Sequence, residues 1–177
     1  MAVRELSTAR LRLRPLTAAD RDALYAIYAD PEVAKGLITR PQSPAGFEQP
    51  FAQMLELASS LGMWAICDGA DGRLIGRCGF YPCSEPPGGT PELAYLLSRS
   101  HWGQGLASEA ARRCLDFAFL EQAWPEVVAM VRLGNAASLR VLRKLGMEWV
   151  RRTGARGTPA DLYRLLRASY RPGGHPA

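Results

Sequence analysis

The period of apolar and polar positions changes several times along the chain. At 10–15, Leu11 and Leu13 alternate with arginines, which predicts a half-exposed strand. Thr17 and Asp20 have capping-box spacing, with Asp in the place of Glu. The helix they open carries Leu24, Ile27 and Tyr28 on one face and stops near Asp30 and Pro31. A short helix is expected over 33–37. Ser43 and Pro44 then supply a cap and a first-turn proline. Behind them Phe47, Phe51, Met54, Leu55, Ala58 and Leu61 fall on one helical stripe. Strands over 63–67 and 73–81 flank the turn DGADG at 68–72, a hairpin pattern. Residues 81–91, with four prolines and two glycines, predict a loop.

A strand over 92–97 runs into a loop over 98–105. The helix that follows places Ala107, Ala110, Ala111, Cys114, Leu115 and Ala118 on one side, the clearest helical period in the chain. A buried-type strand is expected over 127–131. Asn135 caps a helix carrying Ala136, Leu139, Leu142 and Leu145, closed by Gly146. Strands over 147–150 and 162–166 follow. With no repeat and no linker, this predicts one domain over 1–171 and a disordered tail over 172–177.

Composition narrows the function. At 177 residues, 47% apolar and 22% charged, the chain suits one globular domain and not intrinsic disorder. No run approaches the roughly 18 apolar residues of a membrane span. The opening MAVRE lacks an apolar signal core, so export by that route is not expected. The net charge is +5, and Lys35 and Lys144 are the only lysines. A composition also rich in Ala, Leu, Gly and Pro accounts for most of the arginine; the basic excess still suits an acidic ligand. The arginines form no run, so a nucleic-acid arm is not indicated. Cys67, Cys78, Cys83 and Cys114 form no C-x-x-C pair, and His101 and His175 are not at metal-ligand spacing from them, so no metal is expected. Three of the four sit among apolar residues, as buried thiols do, which fits a reducing cytoplasm.

The run WGQGLASEA at 102–110 bears most of the chemistry. Glycines before a helix let the backbone approach a ligand, and the first helical N–H groups have no intrahelical partner. Together they suit phosphate or pyrophosphate. No Lys-Ser/Thr follows, as a P-loop requires, and the third glycine of a dinucleotide fingerprint is missing. A plain Gly-rich turn between strand and helix is the other reading.

Three motifs in order carry a resemblance: ELAYLL at 92–97, HWGQGLASEA at 101–110 and NAASLRVLRKLGM at 135–147. The chain resembles GNAT-type N-acetyltransferases over roughly residues 6–168, most of all their Rim-type, ribosomal-protein N-terminal-alanine branch. TARLRLRPL at 8–16 and DPEV at 30–33 share that likeness. The resemblance implies a mixed α/β fold: a mostly antiparallel central sheet flanked by helices, in which two neighbouring parallel strands splay to form the acetyl-CoA cleft. Here these are 92–97 and 127–132.

It implies that the backbone of Gly103, Gln104, Gly105, Leu106, Ala107 and Ser108 holds the pyrophosphate. Leu97 and Ser98 offer main-chain groups to the pantetheine arm, and Asn135 touches the coenzyme. The family pattern Q/R-x-x-G-x-G/A falls on Trp102, Gly105 and Ala107, so a tryptophan replaces its first residue. Arg140, ahead of Arg143 and Lys144, is the favoured partner for the 3′-phosphate; a solvated helix face is the other reading. Amine attack on a thioester needs a proton acceptor, oxyanion donors and a proton source for sulfur. Glu92 is the candidate base and Ser138 the candidate acid. Their other readings are a strand-edge carboxylate and a first-turn serine bonded to backbone. Leu142 occupies the place of the tyrosine that many relatives use as acid. Tyr95 reads as core, with a catalytic role as the other reading, and His101 as structural or exposed rather than catalytic. The expected partners are acetyl-CoA and an amine acceptor, with no nucleic acid and no membrane; a homodimer is compatible with the sequence. An α-amine near pKa 8 needs less help than lysine near 10.4, which favours a protein N-terminus over a lysine side chain. A small amine such as an antibiotic, polyamine or amino acid, or a non-catalytic acyl-CoA-binding module, stays open.

Overall fold

A computed structural model describes residues 4–83, 89–154 and 157–173. Eight strands form one sheet in the order β1-β2-β3-β4-β5-β6-β8-β7: Leu6–Ser7, Leu11–Pro15, Met63–Asp68, Leu74–Pro82, Pro91–Leu97, Glu126–Arg132, Ala160–Leu166 and Glu148–Thr153. Every neighbouring pair is antiparallel except β5 and β6. Helices α1 (Arg21–Ala29), α2 (Pro31–Lys35) and α3 (Pro44–Ser60) lie on one face of the sheet. Their core gathers Leu24, Phe47, Phe51 and Met54 over Met63, Ala65 and Leu96. Helices α4 (Leu106–Asp116) and α5 (Ala136–Lys144) bring Ala110, Cys114, Leu115 and Leu142 onto Trp64, Cys78, Phe80 and Leu97. Alternation along β3, β4 and β5 explains the split: Cys78, Leu93 and Leu97 face α4, whereas Ala65 and Leu96 face α1 and α3.

Local differences from the expected pattern have local causes. The capping box at Thr17 forms, but it opens a 3-10 turn over Ala18–Asp20 before α1. Helix α2 starts at Pro31, not 33, because the Asp30 carboxylate accepts from the Glu32 and Val33 N–H groups and Pro31 suits the first turn. After α4 the chain continues as a π turn over Phe117–Glu121, so Ala118 stays on the buried face without being α-helical. Strand β1, two residues long, is too short to display a period. All four cysteines are buried thiols, and Cys114 Sγ donates to Cys78 Sγ at 3.4 Å. Part of the loop predicted over 81–91 lies outside the described residues, as do 174–177 of the expected disordered tail; Pro172 and Gly173 form a turn.

Candidate active site

Strands β5 and β6 share a single partner pair, Glu92 with Val128, and then part. The V they leave opens toward their carboxyl ends, where ligands of α/β sheets bind. A cavity of about 920 Å3 fills it, lined by β5 from Glu92 to Leu97 and by Ala129, Met130, Val131 and Arg132 of β6. The segment between α2 and α3, through Gly36, Leu37, Ile38, Thr39 and Pro41, forms a wall on the other side.

The first turn of α4 lies at the mouth. Gly103 and Gly105 adopt φ of 75° and 78°, left-handed values that favour glycine. Gly105 is the N-cap and no side chain caps the helix, which leaves the amides of Leu106, Ala107 and Ser108 for a ligand. Gly103, Gly105, Leu106, Ala107 and Ser108 all line the cavity. The loop is held from behind. Arg10 donates from Nε to Glu109 and from Nη1 to the Gln104 carbonyl, at 2.7 and 2.9 Å, while Thr8 donates to Glu109 at 2.5 Å. Burial pushes the Glu109 carboxyl up, but the hydrogen bonds from Thr8 and Arg10 outweigh it and hold it below the ordinary value. Sequence reasoning missed Arg10 and Glu109; their spacing of 99 residues leaves no local signal.

At the apex, Glu92 is 7% exposed and sits opposite Tyr81 of β4. It lines the cavity together with Tyr95 and Ser138. The Tyr95 hydroxyl lies 2.8 Å from Ser138 Oγ and 3.1 Å from the Ser138 carbonyl. Tyr95, read from sequence as core, is therefore half-buried and polar-tipped at the site. Burial pushes its hydroxyl far above the ordinary phenol value, against the lowering effect of the Ser138 bond. Ser138 Oγ bonds Tyr95, which replaces the backbone bond of the simpler reading. Leu142, in the place of the family tyrosine, is fully buried in the core. Asn135 caps α5 through Oδ1 to the Ser138 N–H at 3.0 Å, and its Nδ2 donates to the Gly36 carbonyl at 3.1 Å. It thus joins the Ser138 helix to the wall between α2 and α3. Arg140 and Lys144 reach the cavity rim, and no carboxylate pairs with Arg140 among the described residues.

One coenzyme expectation changes. Ser98 donates its N–H to Ile75 at 2.8 Å, and its carbonyl accepts from His101 at 3.0 Å. Its hydroxyl lies 2.6 Å from His101 Nδ1. Both main-chain groups are thus engaged inside the protein, and Ser98 lines a different hollow beside Ala26 and Ile27. At Gln104 the side chain donates to the Ser100 carbonyl and the carbonyl is held by Arg10; the N–H, the group expected to meet the pyrophosphate, takes part in neither bond. Leu97 stays on the cavity wall, and its carbonyl accepts from the Trp102 indole at 2.9 Å. Trp102 therefore fastens the loop to β5, a structural role for the residue that replaces the family's arginine or glutamine. His101, as expected, holds loop hydroxyls.

These features define an acyl-coenzyme A transferase architecture. Residues 10–148 match the family described as the acetyltransferase (GNAT) domain, and the chain belongs to that family. It is 34% identical over 149 residues to the uncharacterized protein YkkB of Bacillus subtilis, covering 82% of this chain and 86% of that one. It is 32% identical to the uncharacterized N-acetyltransferase p20 of Bacillus licheniformis, covering 81% and 82%. An acetyltransferase structure from Agrobacterium tumefaciens superposes with a TM-score of 0.80 at 28% identity, over 93% of this chain and 95% of that one. The ribosomal-protein-S5-alanine acetyltransferase of Vibrio fischeri shares the fold, with a TM-score of 0.76 over 95% and 99% of the two chains at 17% identity. The protein is an acetyl-CoA-dependent N-acetyltransferase. No helix among the described residues is long and apolar enough to cross a membrane, and no group of potential metal ligands occurs among them.

Proposed function

We propose that the chain acetylates a primary α-amine, with a peptide N-terminus as the favoured acceptor. One observation carries this reading: the uncapped turn of α4, Glu92 and the Tyr95–Ser138 pair all face one cavity between splayed strands. The residues fit the coenzyme. The amides of residues 105–108 would hold its pyrophosphate, Leu97 and the opened edge of β5 its pantetheine arm, and Arg140 its 3′-phosphate. Acetyl-CoA supplies the acetyl group as a thioester, whose C–S bond breaks as the new N–C bond forms.

Glu92 accepts the proton that the amine nitrogen must lose, directly or through water. A carboxylate is a weak base, which suits an α-amine near pKa 8 better than lysine near 10.4. Tyr95 stays protonated; its hydroxyl donates to the Ser138 carbonyl and shares a second hydrogen bond with Ser138 Oγ in which either oxygen can donate, so the pair sets two hydroxyls beside the cavity for the leaving sulfur. Neither hydroxyl is more acidic than a thiol, so the pair stabilises the thiolate by hydrogen bonding without giving up a proton. The shared fold of a ribosomal-protein-alanine acetyltransferase agrees with a peptide N-terminus.

Release of CoA thiol over a panel of short peptides, lysine-containing peptides with blocked N-termini, aminoglycosides and polyamines tests the reading, with mass mapping of each product. Acetylation at the α-amine is expected. Turnover confined to amines without a peptide would refute the N-terminal acceptor, and coenzyme binding without any turnover would refute catalysis.

A further inference from the structure

Arg77 is the buried charge that the acetyl-transfer chemistry leaves unexplained. It projects from β4 and is 6% exposed. Its Nε donates to the Tyr28 hydroxyl at 2.9 Å. The guanidinium carbon lies 5.8 Å from the Tyr28 ring centre and 5.4 Å from that of Tyr81. Its Nη1 is buried and has no hydrogen-bond partner. No carboxylate lies within ion-pair distance among the described residues. Arg14, by contrast, is held by both oxygens of Asp20 at 2.6 and 2.7 Å.

A guanidinium always carries its charge, and a buried charge is rare unless paired. Two tyrosine faces offset part of the desolvation, but they leave a donor aimed at nothing. Arg77 lines the cavity together with Tyr28, Gln49, Gln53, Tyr81 and Glu92. Register places these groups on one face: Tyr81 lies opposite Glu92, and Arg77, four residues before Tyr81, lies opposite Leu96. Leu97, whose side chain packs on the α4 side, belongs to the other face. The coenzyme phosphates, at the first turn of α4, are therefore not the natural partner of Arg77. An anion that enters on the sheet face shared by Arg77, Tyr81 and Glu92 is.

We propose that the acceptor amine carries a carboxylate, and that Arg77, steadied by Tyr28 and Tyr81, binds it while Glu92 faces the amine. The planar fork of arginine matches a carboxylate, and a donor already dehydrated by the protein gains the most from one. This deepens the acetyltransferase reading and rests on it. The same chemistry has two sources: the α-carboxylate of a small amino acid, or an acidic side chain close to a peptide N-terminus.

Binding and turnover are measured separately on the full chain. Calorimetry with CoA-loaded protein compares matched pairs: alanine with alaninamide, serine with serinamide, and the C-terminally amidated tripeptides Ala-Asp-Gly and Ala-Asn-Gly. The carboxylate member is expected to bind about 10- to 100-fold tighter, the usual worth of a charge-assisted bond. Preference in the first two pairs identifies a small amino acid; preference in the tripeptides identifies an acidic N-terminus. Arg77→Met, checked for intact CoA binding, is expected to abolish the preference by weakening only the carboxylate member. Arg77→Lys keeps charge without the fork and is expected to restore part of it. Equal binding of both members in every pair, or a preference that survives Arg77→Met, overturns the proposal. Thiol release with the same pairs reports catalysis independently. Its absence beside selective binding would refute the acetyltransferase reading and leave Arg77 standing as a carboxylate site.

Discussion

Gly105→Asp sets the fold against the coenzyme site at a single atom. A side chain at 105 meets little resistance: its Cβ would find Arg10 Nη2 at 3.6 Å, an ordinary contact. The backbone there is left-handed, with φ of 78°, which costs an L-residue about 1 kcal/mol, and Asp tolerates it better than most. For a domain of this size that lowers Tm by about 2–4 °C. The new carboxylate would stand at the uncapped end of α4, on the amides proposed to hold pyrophosphate. Two unit charges about 5 Å apart, at an effective dielectric near 20, repel by roughly 3 kcal/mol. Loss of the amide contacts adds to this. Arg10 offers little relief, because Glu109, 2.6 Å from Nη2, already neutralises it. The expected result is a CoA Kd raised by about 100-fold or more, with a near-native melting curve. Gly105→Ala carries the backbone strain without the charge and should weaken CoA by only a few fold. Calorimetry with CoA, beside a thermal melt, gives both numbers. An Asp variant that binds CoA within about threefold of wild type would remove the α4 turn from the site.

Other expectations follow from the same geometry. Glu92→Gln should leave CoA affinity intact and lower kcat/KM by about 10²-fold, with a residual rate that rises with pH as free amine becomes available; a wild-type rate at pH 7 would acquit Glu92. Tyr95→Phe removes the hydroxyl that bonds Ser138 and should lower kcat with little change in the KM for acetyl-CoA, read from steady-state kinetics; an unchanged kcat would return Tyr95 to the core. Asp20→Asn should cost about 2 kcal/mol at pH 7 through the lost charge-assisted bonds to Arg14. Burial raises the Asp20 carboxyl, but hydrogen bonds from Arg14 and Thr17 outweigh it and hold it below the ordinary value. Its contribution is thus present above the unfolded-state pKa and disappears as pH falls through the lower folded-state value. Denaturant melts of wild type and variant should converge in that acid range, and a gap that persists there would exclude the linkage.

Much of this protein is legible one segment at a time. The stripe from Phe47 to Ala58, the alanine face of α4, the Ser43 and Asn135 caps and the glycines before α4 are short-range facts, because a helix repeats within four residues and a cap acts within three. They were enough to predict most of the order of elements and a loop suited to phosphate; Glu92 and Ser138 entered as candidates through the family resemblance. What the tertiary structure decided lies between residues far apart. The splay of β5 from β6 after a single pair sets the cavity, and no periodicity encodes it. Tyr95 has the pattern of a strand core residue; only the approach of α5, 43 positions away, turns its hydroxyl into part of the site. Ser98 had the right neighbours for a coenzyme contact, but Ile75 and His101 had already taken its main-chain groups. Arg77 sits in a run that reads as an ordinary strand, and its charge gains meaning when Tyr28, 49 residues earlier, closes over it. Apolar period reports which face of an element is buried; it cannot report which polar atom on that face is left without a partner, because that is decided by whatever packs across from it.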